Sequence, residues 1–242
     1  MKKQVHRGQK ENGSGMICSG EQTVVFHALS AQHISVVEAV LHCLKENRKG
    51  TLLLSTDAIN FSNEQLASKF ECSISSPKEW SFKEHIGFVN TLYIIGGGHV
   101  SVAVSDLFVT LGFRVVVFDD RENLNTLELN ASAHQKLVVN FNDIADYVTE
   151  GASSYVAIMT NRYIDDKLVL SKLIRGKFAY LGVLGSTAKL SAMWEVMQRD
   201  GVTNEELARV RGPIGLSIKS QTPPEIAVSI AAEVIKIKNR NQ

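Results

Sequence analysis

The sequence predicts an α/β fold: a doubly wound parallel sheet with a smaller N-terminal α/β region. Two observations carry that expectation. Residues 92–95 (LYII) run straight into three glycines, then a helical apolar pattern, then a second apolar run at 115–118, then two aspartates. From there to the C-terminus, short apolar runs keep alternating with helical patterns, which is how a parallel sheet covered on both faces is encoded.

Each part of the glycine segment has a mechanical reason. A strand buried on both faces reads as a continuous apolar run. Gly96 lets the chain turn sharply out of the strand, Gly97 continues the turn, and Gly98 lets a pyrophosphate approach the backbone closely. The helix beginning at His99 and Val100 points unpaired N–H groups and a positive dipole end at the same spot, which suits an anion. Asp119 follows Gly98 by 21 residues. That is the place of an acid accepting ribose hydroxyls in a Rossmann-like dinucleotide unit, and it favours NAD over NADP because an acid repels a 2′-phosphate. The third glycine of the fingerprint is replaced by Ser101, which is still small enough for close helix–strand packing.

A chain of 242 residues is long enough for one large or two modest domains. Hydrophobic content of 44% and a net charge of +1 fit an ordinary globular protein and give no sign of a nucleic-acid surface. No apolar run approaches the roughly 20 residues of a membrane span. The basic N-terminus lacks the apolar core of a secretory signal, so a cytoplasmic location is expected. Three cysteines without a CxxC pair argue against a disulfide framework or a cysteine-built zinc site. Cys43 lies in a helical pattern and is expected in the core, while Cys72 fits either core or surface.

Taken in order, residues 1–14 are polar and expected to be poorly ordered, 15–88 form the N-terminal α/β region, and 89–242 the larger domain. Residues 22–29 read as a strand. Ile34, Val37, Leu41 and Leu44 have helical spacing over 33–47, with Gly50 as the stop. Residues 51–55 read as a short buried strand, 63–70 as a helix capped by Ser62, and 71–90 as a connector without a clear period. In the larger domain, strands are expected at 136–139, 155–160 and 178–184. Helices are expected at 142–148, 165–175 and from 187 to about 199. Capping boxes at Thr203 and Thr222 open two more helices.

In this strand order, 3-2-1-4-5, ligands bind beyond the carboxyl ends where the order reverses. The crevice then gathers Gly96, Gly97, Gly98, His99 and Val100, with Asp119, Asp120 and Arg121, with Thr160, Asp165 and Asp166, and with Gly185 and Ser186. His99 is expected as a neutral hydrogen-bond donor or metal ligand, because a positive helix end disfavours imidazolium. Asp165 and Asp166 open a helix, where acids are also ordinary dipole partners. Gly185-Ser186 suits either a second phosphate or a helix cap. The constrained stretch 211–225 is placed to close over the crevice. No nucleophile elbow, HExxH or P-loop is present. An NAD(P)-binding oxidoreductase and a nucleotide-sensing module both remain open on these residues.

Four ordered segments, IIGGGHVSVAVSDLFVTLGFRVVVFDDRE, AIMTNRYIDDKLVL, FAYLGVLGSTAKL and RGPIGLSIKSQTPPEIAVSIAAEVI, together resemble the XdhC/CoxI family of xanthine dehydrogenase accessory proteins. GMICSGEQTVVF resembles the family's cysteine-glycine-glycine segment, with Ser19 in place of the first glycine. The resemblance implies a Rossmann-like C-terminal domain and a homodimer. It also implies binding of molybdenum cofactor (molybdopterin), and help with its sulfuration and insertion into a xanthine-dehydrogenase-type molybdoenzyme, with a sulfur-donating desulfurase as a further partner. It places the phosphate end at Gly96, Gly98 and His99, and makes Cys18 a thiolate near molybdenum or its sulfur. The family's threonine-histidine after the fourth strand is Thr160-Asn161 here, and the family's usual N-terminal start is absent.

Overall fold

A computed structural model of the chain describes residues 2–6, 20–66 and 68–241. Two compact units, Met1–Gly87 and Phe88–Gln242, divide it. In the second unit, five parallel strands are β7 (Thr91–Ile95), β8 (Arg114–Asp119), β9 (Gln135–Val138), β10 (Gly151–Ile158) and β11 (Phe178–Val183). Their spatial order is β11-β10-β7-β8-β9. In the unit's own count this is 3-2-1-4-5 seen from the other edge, as the alternation predicts.

Alternate residues of each strand enter two separate cores. Leu92, Ile94, Val115, Val117, Tyr155 and Ala157 pack beneath α2 (His99–Thr110) and α8 (Pro223–Lys238). Ile95, Val116, Phe118, Val156, Ile158 and Val183 pack beneath α5 (Tyr163–Leu173) and α6 (Thr187–Arg199). Both faces being covered explains why the strands read as unbroken apolar runs. Short helices α3 (Asn125–Glu128), α4 (Ile144–Tyr147) and α7 (Asn204–Ala208) occupy the remaining connections. The Thr203 box forms as the sequence predicts: Thr203 Oγ accepts from Glu206 N–H at 3.1 Å, and the Glu206 carboxylate accepts from Thr203 N–H at 2.8 Å.

The stretch 211–225 does not close over the crevice. Arg211 N–H donates to Leu181 O at 2.8 Å and Ile214 N–H to Val183 O at 3.0 Å, so the chain is sewn to the open edge of β11. It then reaches α8, where the Glu233 carboxylate accepts from Gly215 N–H at 2.9 Å and from the Tyr180 hydroxyl. Burial, and then the bond to Glu233, push the Tyr180 phenol far above its ordinary range, so it stays a donor. Tyr180→Phe is therefore expected to cost about 1.5–3 kcal/mol, the worth of a hydrogen bond to a charged group. Urea unfolding checks this, and an unchanged midpoint would show the bond to be replaceable by water.

The first unit departs from the sequence expectation. Its main sheet is antiparallel, in the order β4-β3-β6-β5, from β3 (Gly50–Ser55), β4 (Ile59–Ser62), β5 (Phe70–Ser76) and β6 (Glu79–Ile86). The helix expected at 63–70 is absent. Ser62 is instead paired with Thr51 across the sheet, and Phe70 begins a strand opposite Glu84. The expected connector at 71–90 is mostly the β5–β6 hairpin, turning at Pro77-Lys78. The strand expected at 22–29 ends at Val24, the residue of β2 (Gly20–Val24) that pairs with Lys2 of β1 (Lys2–His6). Residues 2–6 thus form a strand where poor order was expected; residues 7–14 lie outside the described residues.

Helix α1 (Ile34–Lys45) forms where its spacing predicts. It is stopped by Asn47 at φ 52° and not by Gly50, which begins β3. Arg48 N–H returns to Cys43 O at 2.8 Å and Asn47 N–H to Leu44 O at 3.2 Å, a left-handed C-terminal cap. Cys43 is buried as expected and Cys72 is exposed. Among the described residues, no helix is long and apolar enough to cross a membrane.

Candidate functional site

The site lies in the second unit, beyond the carboxyl ends of β7, β8, β10 and β11. A cleft of about 690 Å³ opens there, lined by Gly98 to Ser101, Arg121, Asn123 to Thr126, Met159 to Asn161, and Leu184. Of the residues singled out from sequence, Gly98, His99, Val100, Arg121 and Thr160 line it.

The glycine turn is built in three parts with different duties. Gly96 leaves β7 at φ +114°, and its N–H donates to Phe118 O at 2.7 Å. A Cβ there would meet Met159 O at 2.4 Å, so β7 and the exit of β10 touch backbone to backbone. The Gly97 peptide is held at both ends: its N–H donates to Asp119 Oδ2 at 2.7 Å and its carbonyl accepts from the Thr126 hydroxyl. Gly98 caps α2, and a Cβ built on it meets nothing within 4 Å. The space above Gly98 is therefore open, and the first N–H groups of α2, at His99 and Val100, have no acceptor within the helix. His99 is exposed at this rim. Ser101, in the third-glycine position, is fully buried, and its hydroxyl donates to Gly98 O at 2.7 Å. A serine thus serves the close-packing role by turning its polar atom back onto the turn.

Asp119 is 1% exposed and its acceptors are engaged inside the protein. Besides Gly97 N–H, it accepts from Arg121 N–H at 3.0 Å, Nε at 2.8 Å and Nη2 at 2.9 Å. Burial alone would raise its carboxyl, but the bonds from Arg121 and Gly97 outweigh it and hold the group below the usual carboxylate range. Arg121 is correspondingly raised, first by its bond to Asp119. Asp119 therefore positions the glycine turn and presents Arg121 to the cleft. Its charge is matched by a guanidinium, so the discrimination against a 2′-phosphate expected from sequence loses its physical basis.

The other candidates divide. Asp165 is paired with Arg162, which also reaches Asp120 at 3.4 Å, so Asp120 and Asp165 lie beside the main cleft and not in it. Asp166 is fully buried, accepts from Thr160 N–H at 3.0 Å and Oγ at 2.7 Å, and pairs with Lys189. That network fixes the loop after β10. Gly185 and Ser186 do not line the cleft; Ser186 Oγ caps α6 by accepting from Lys189 N–H at 3.2 Å. Cys18 lies outside the described residues. Among the described residues, no group of three His, Cys, Asp or Glu is placed to hold a metal ion.

Sequence reasoning missed Lys189, Arg162 and the wall at Asn123 to Thr126. Lys189 had a signal: a cation in the first turn of a helix opposes the dipole and calls for a buried partner. The wall had none, because its place is set by where β8 ends relative to α2.

The family model described as the XdhC Rossmann domain matches residues 92–234. The chain is 34% identical over 149 residues to an uncharacterized protein, YqeB, of Escherichia coli K12, covering 61% of this chain and 27% of that protein. It is 26% identical over 149 residues to a probable xanthine dehydrogenase subunit from Bacillus subtilis 168, covering 62% and 43%. The chain thus spans less than half the length of either relative. A solved structure described as a xanthine dehydrogenase from Bacillus halodurans shares the fold, with a TM-score of 0.62 and 22% identity over 88% of this chain and 66% of that one. By the match over its glycine turn, crevice and final helix, the chain belongs to the XdhC family.

Proposed function

We propose that this chain is an XdhC-type accessory protein that binds molybdenum cofactor and assists its sulfuration and insertion into a xanthine-dehydrogenase-type molybdoenzyme. The observation carrying the proposal is the open anion cradle above Gly98, within the region that matches the family. The names of two similar proteins, both of which refer to xanthine dehydrogenase, support the choice of acceptor. When bound, the cofactor supplies the molybdenum centre and its sulfur; the chain supplies the grip. The first N–H groups of α2 and the guanidinium of Arg121 would hold the phosphate end. Loop 160–166, braced by Asp166 and Lys189, would form the opposite wall. Cys18 is the proposed thiolate toward molybdenum or sulfur, and a desulfurase and a second copy of the chain are the proposed partners.

Purification from cells making the cofactor, followed by molybdenum and pterin assay, tests this. Retention near stoichiometry is expected, and retention at background overturns it. Gly98→Asp sharpens the test. The backbone at Gly98 (φ −73°, ψ −172°) suits an aspartate cap, so stability should hold or rise by up to about 1 kcal/mol. The added carboxylate fills the cradle with the wrong charge, so cofactor retention should vanish. A nicotinamide dinucleotide is the competing occupant on the same glycine turn; saturable NADH binding without cofactor retention would favour it.

A further inference from the structure

The parallel sheet ends at β11, the terminal strand of the order β11-β10-β7-β8-β9. Just past β11, Leu184 N–H donates to Ile158 O at 2.8 Å, so even-numbered residues turn their main-chain groups toward β10. Odd-numbered residues turn theirs outward. Val183 N–H donates to Arg211 O, and Leu181 O accepts from Arg211 N–H, both at 2.8 Å. That pairing covers only the carboxyl half of the edge. Ala179 N–H, Ala179 C=O and Leu181 N–H have no backbone partner among the described residues.

A cavity of about 270 Å³ runs along this uncovered half, lined by four consecutive strand residues, Phe178 to Leu181. Side chains of a strand alternate between faces, so four in a row share a cavity when it follows the strand's edge. The charged groups lining it are all of one sign: Lys177, Arg209 and Arg211. Arg209 spends one N–H on Ile174 O at 2.8 Å. The carboxylates around the cavity are engaged elsewhere. Glu206 pairs with Arg175 at 3.1 Å, Glu233 accepts from Tyr180 and Gly215, and Glu150 accepts from the main-chain N–H of Lys177 at 2.9 Å. Among the described residues, the side chains of Lys177 and Arg211 therefore face the cavity with their charges unmatched.

An uncovered strand edge is a template for another strand, and cations along it repel a second copy of the same edge. One occupant satisfies both features: an extended chain that carries carboxylates. We propose that the amino half of β11 takes up an acidic, extended segment of a partner protein as an added strand. Ala179 would donate one main-chain bond and accept another, and Leu181 N–H would donate a third. Main-chain bonds supply the grip, and Lys177, Arg209 and Arg211 select the acidic sequence. The site lies along the sheet edge and not at the glycine crevice, so it goes beyond the cofactor reading and stands without it.

Titration of the isotope-labelled full chain with a short, end-blocked peptide alternating Asp and Val tests this by NMR. Saturable amide shifts centred on Ala179 and Leu181 are expected, with an affinity about ten-fold above that of the Asn–Val counterpart. The same peptide N-methylated at every amide should not bind, because it cannot donate to the edge. Glutarate, which offers carboxylates without a peptide backbone, should give no saturable shift over the same concentrations. Lys177→Gln combined with Arg211→Gln should remove the acidic peptide's ten-fold advantage. Both side chains are exposed, so the amide spectrum away from the edge should stay unchanged. Each single substitution should give part of the same loss. Absence of shifts at Ala179 and Leu181 would overturn the proposal. So would glutarate or the N-methylated peptide binding as tightly as the acidic peptide, or an advantage that survives the double substitution.

Discussion

Gly96→Ala is expected to destabilise the Phe88–Gln242 unit by about 3 kcal/mol or more. Two costs combine. At φ +114° an L-residue is strained by about 1–3 kcal/mol. The new Cβ would also lie 2.4 Å from Met159 O and 2.8 Å from Thr160 N, which are backbone atoms of the neighbouring strand exit and cannot rotate away. Overpacking of that kind adds about 1–3 kcal/mol. Trp194 reports on this unit and Trp80 on the other, so urea unfolding in a Trp80→Phe background isolates the effect. The midpoint should fall sharply, and a midpoint equal to the background would show that the β7–β10 contact yields. The same change at Gly98 meets open space, so the two glycines should separate cleanly: one costs stability, the other binding.

Asp119→Asn should cost about 2 kcal/mol at neutral pH. Breaking a buried ion pair costs about 3–5 kcal/mol; the lower figure applies because Arg121 is 38% exposed and regains some hydration. Asparagine keeps an acceptor for Gly97 N–H but loses the charge-assisted fork to Arg121. The effect should depend on pH in a definite sense. Asp119 titrates below its ordinary 3.8 in the folded protein. Its stabilisation is therefore present above that pH and is lost as pH falls through the lower folded-state value. Stability curves of the native protein and the variant should run apart above pH 4 and converge in stronger acid. Parallel curves throughout would show that the carboxylate's charge is not what the glycine turn relies on.

Local chemistry was enough for the strands and the longer helices of the second unit. Its strands are buried on both faces, so the apolar runs had no competing interpretation, and the caps at Ser186, Thr203 and Thr222 act within three or four residues of themselves. The first unit lacked such redundancy. Phe70, Cys72 and Ile74 alternate with polar residues, as do Trp80 and Phe82, but Pro77 and the small, weakly apolar partners mask a period of two. Ser62 looked like a helix cap and was taken by a strand ladder, because pairing with Thr51 satisfies the same backbone groups over a longer range. In α1 the period was legible but the face was not. Val36, Ala39, Val40 and Cys43 turn inward, while Ile34, Val37, Leu41 and Leu44 are exposed. Two apolar stripes on one helix leave sequence periodicity with no means of choosing between them.

The candidate site shows the same division. That a parallel sheet would form, that its glycine turn would follow β7, and that the turn would open a helix N-terminus toward the crevice were all written in residues close together in the chain. Which side chains line that crevice was not. Asp119 held the expected position but is held inward by Arg121, and Asp120 and Asp165 belong to a neighbouring cleft. Lys189 anchors a loop 23 residues away through Asp166. These assignments depend on where each strand ends in the assembled sheet and on which charge reaches a partner once water is excluded. Burial makes an unpaired ion costly, so the folded arrangement pairs charges across long sequence separations that no local pattern encodes.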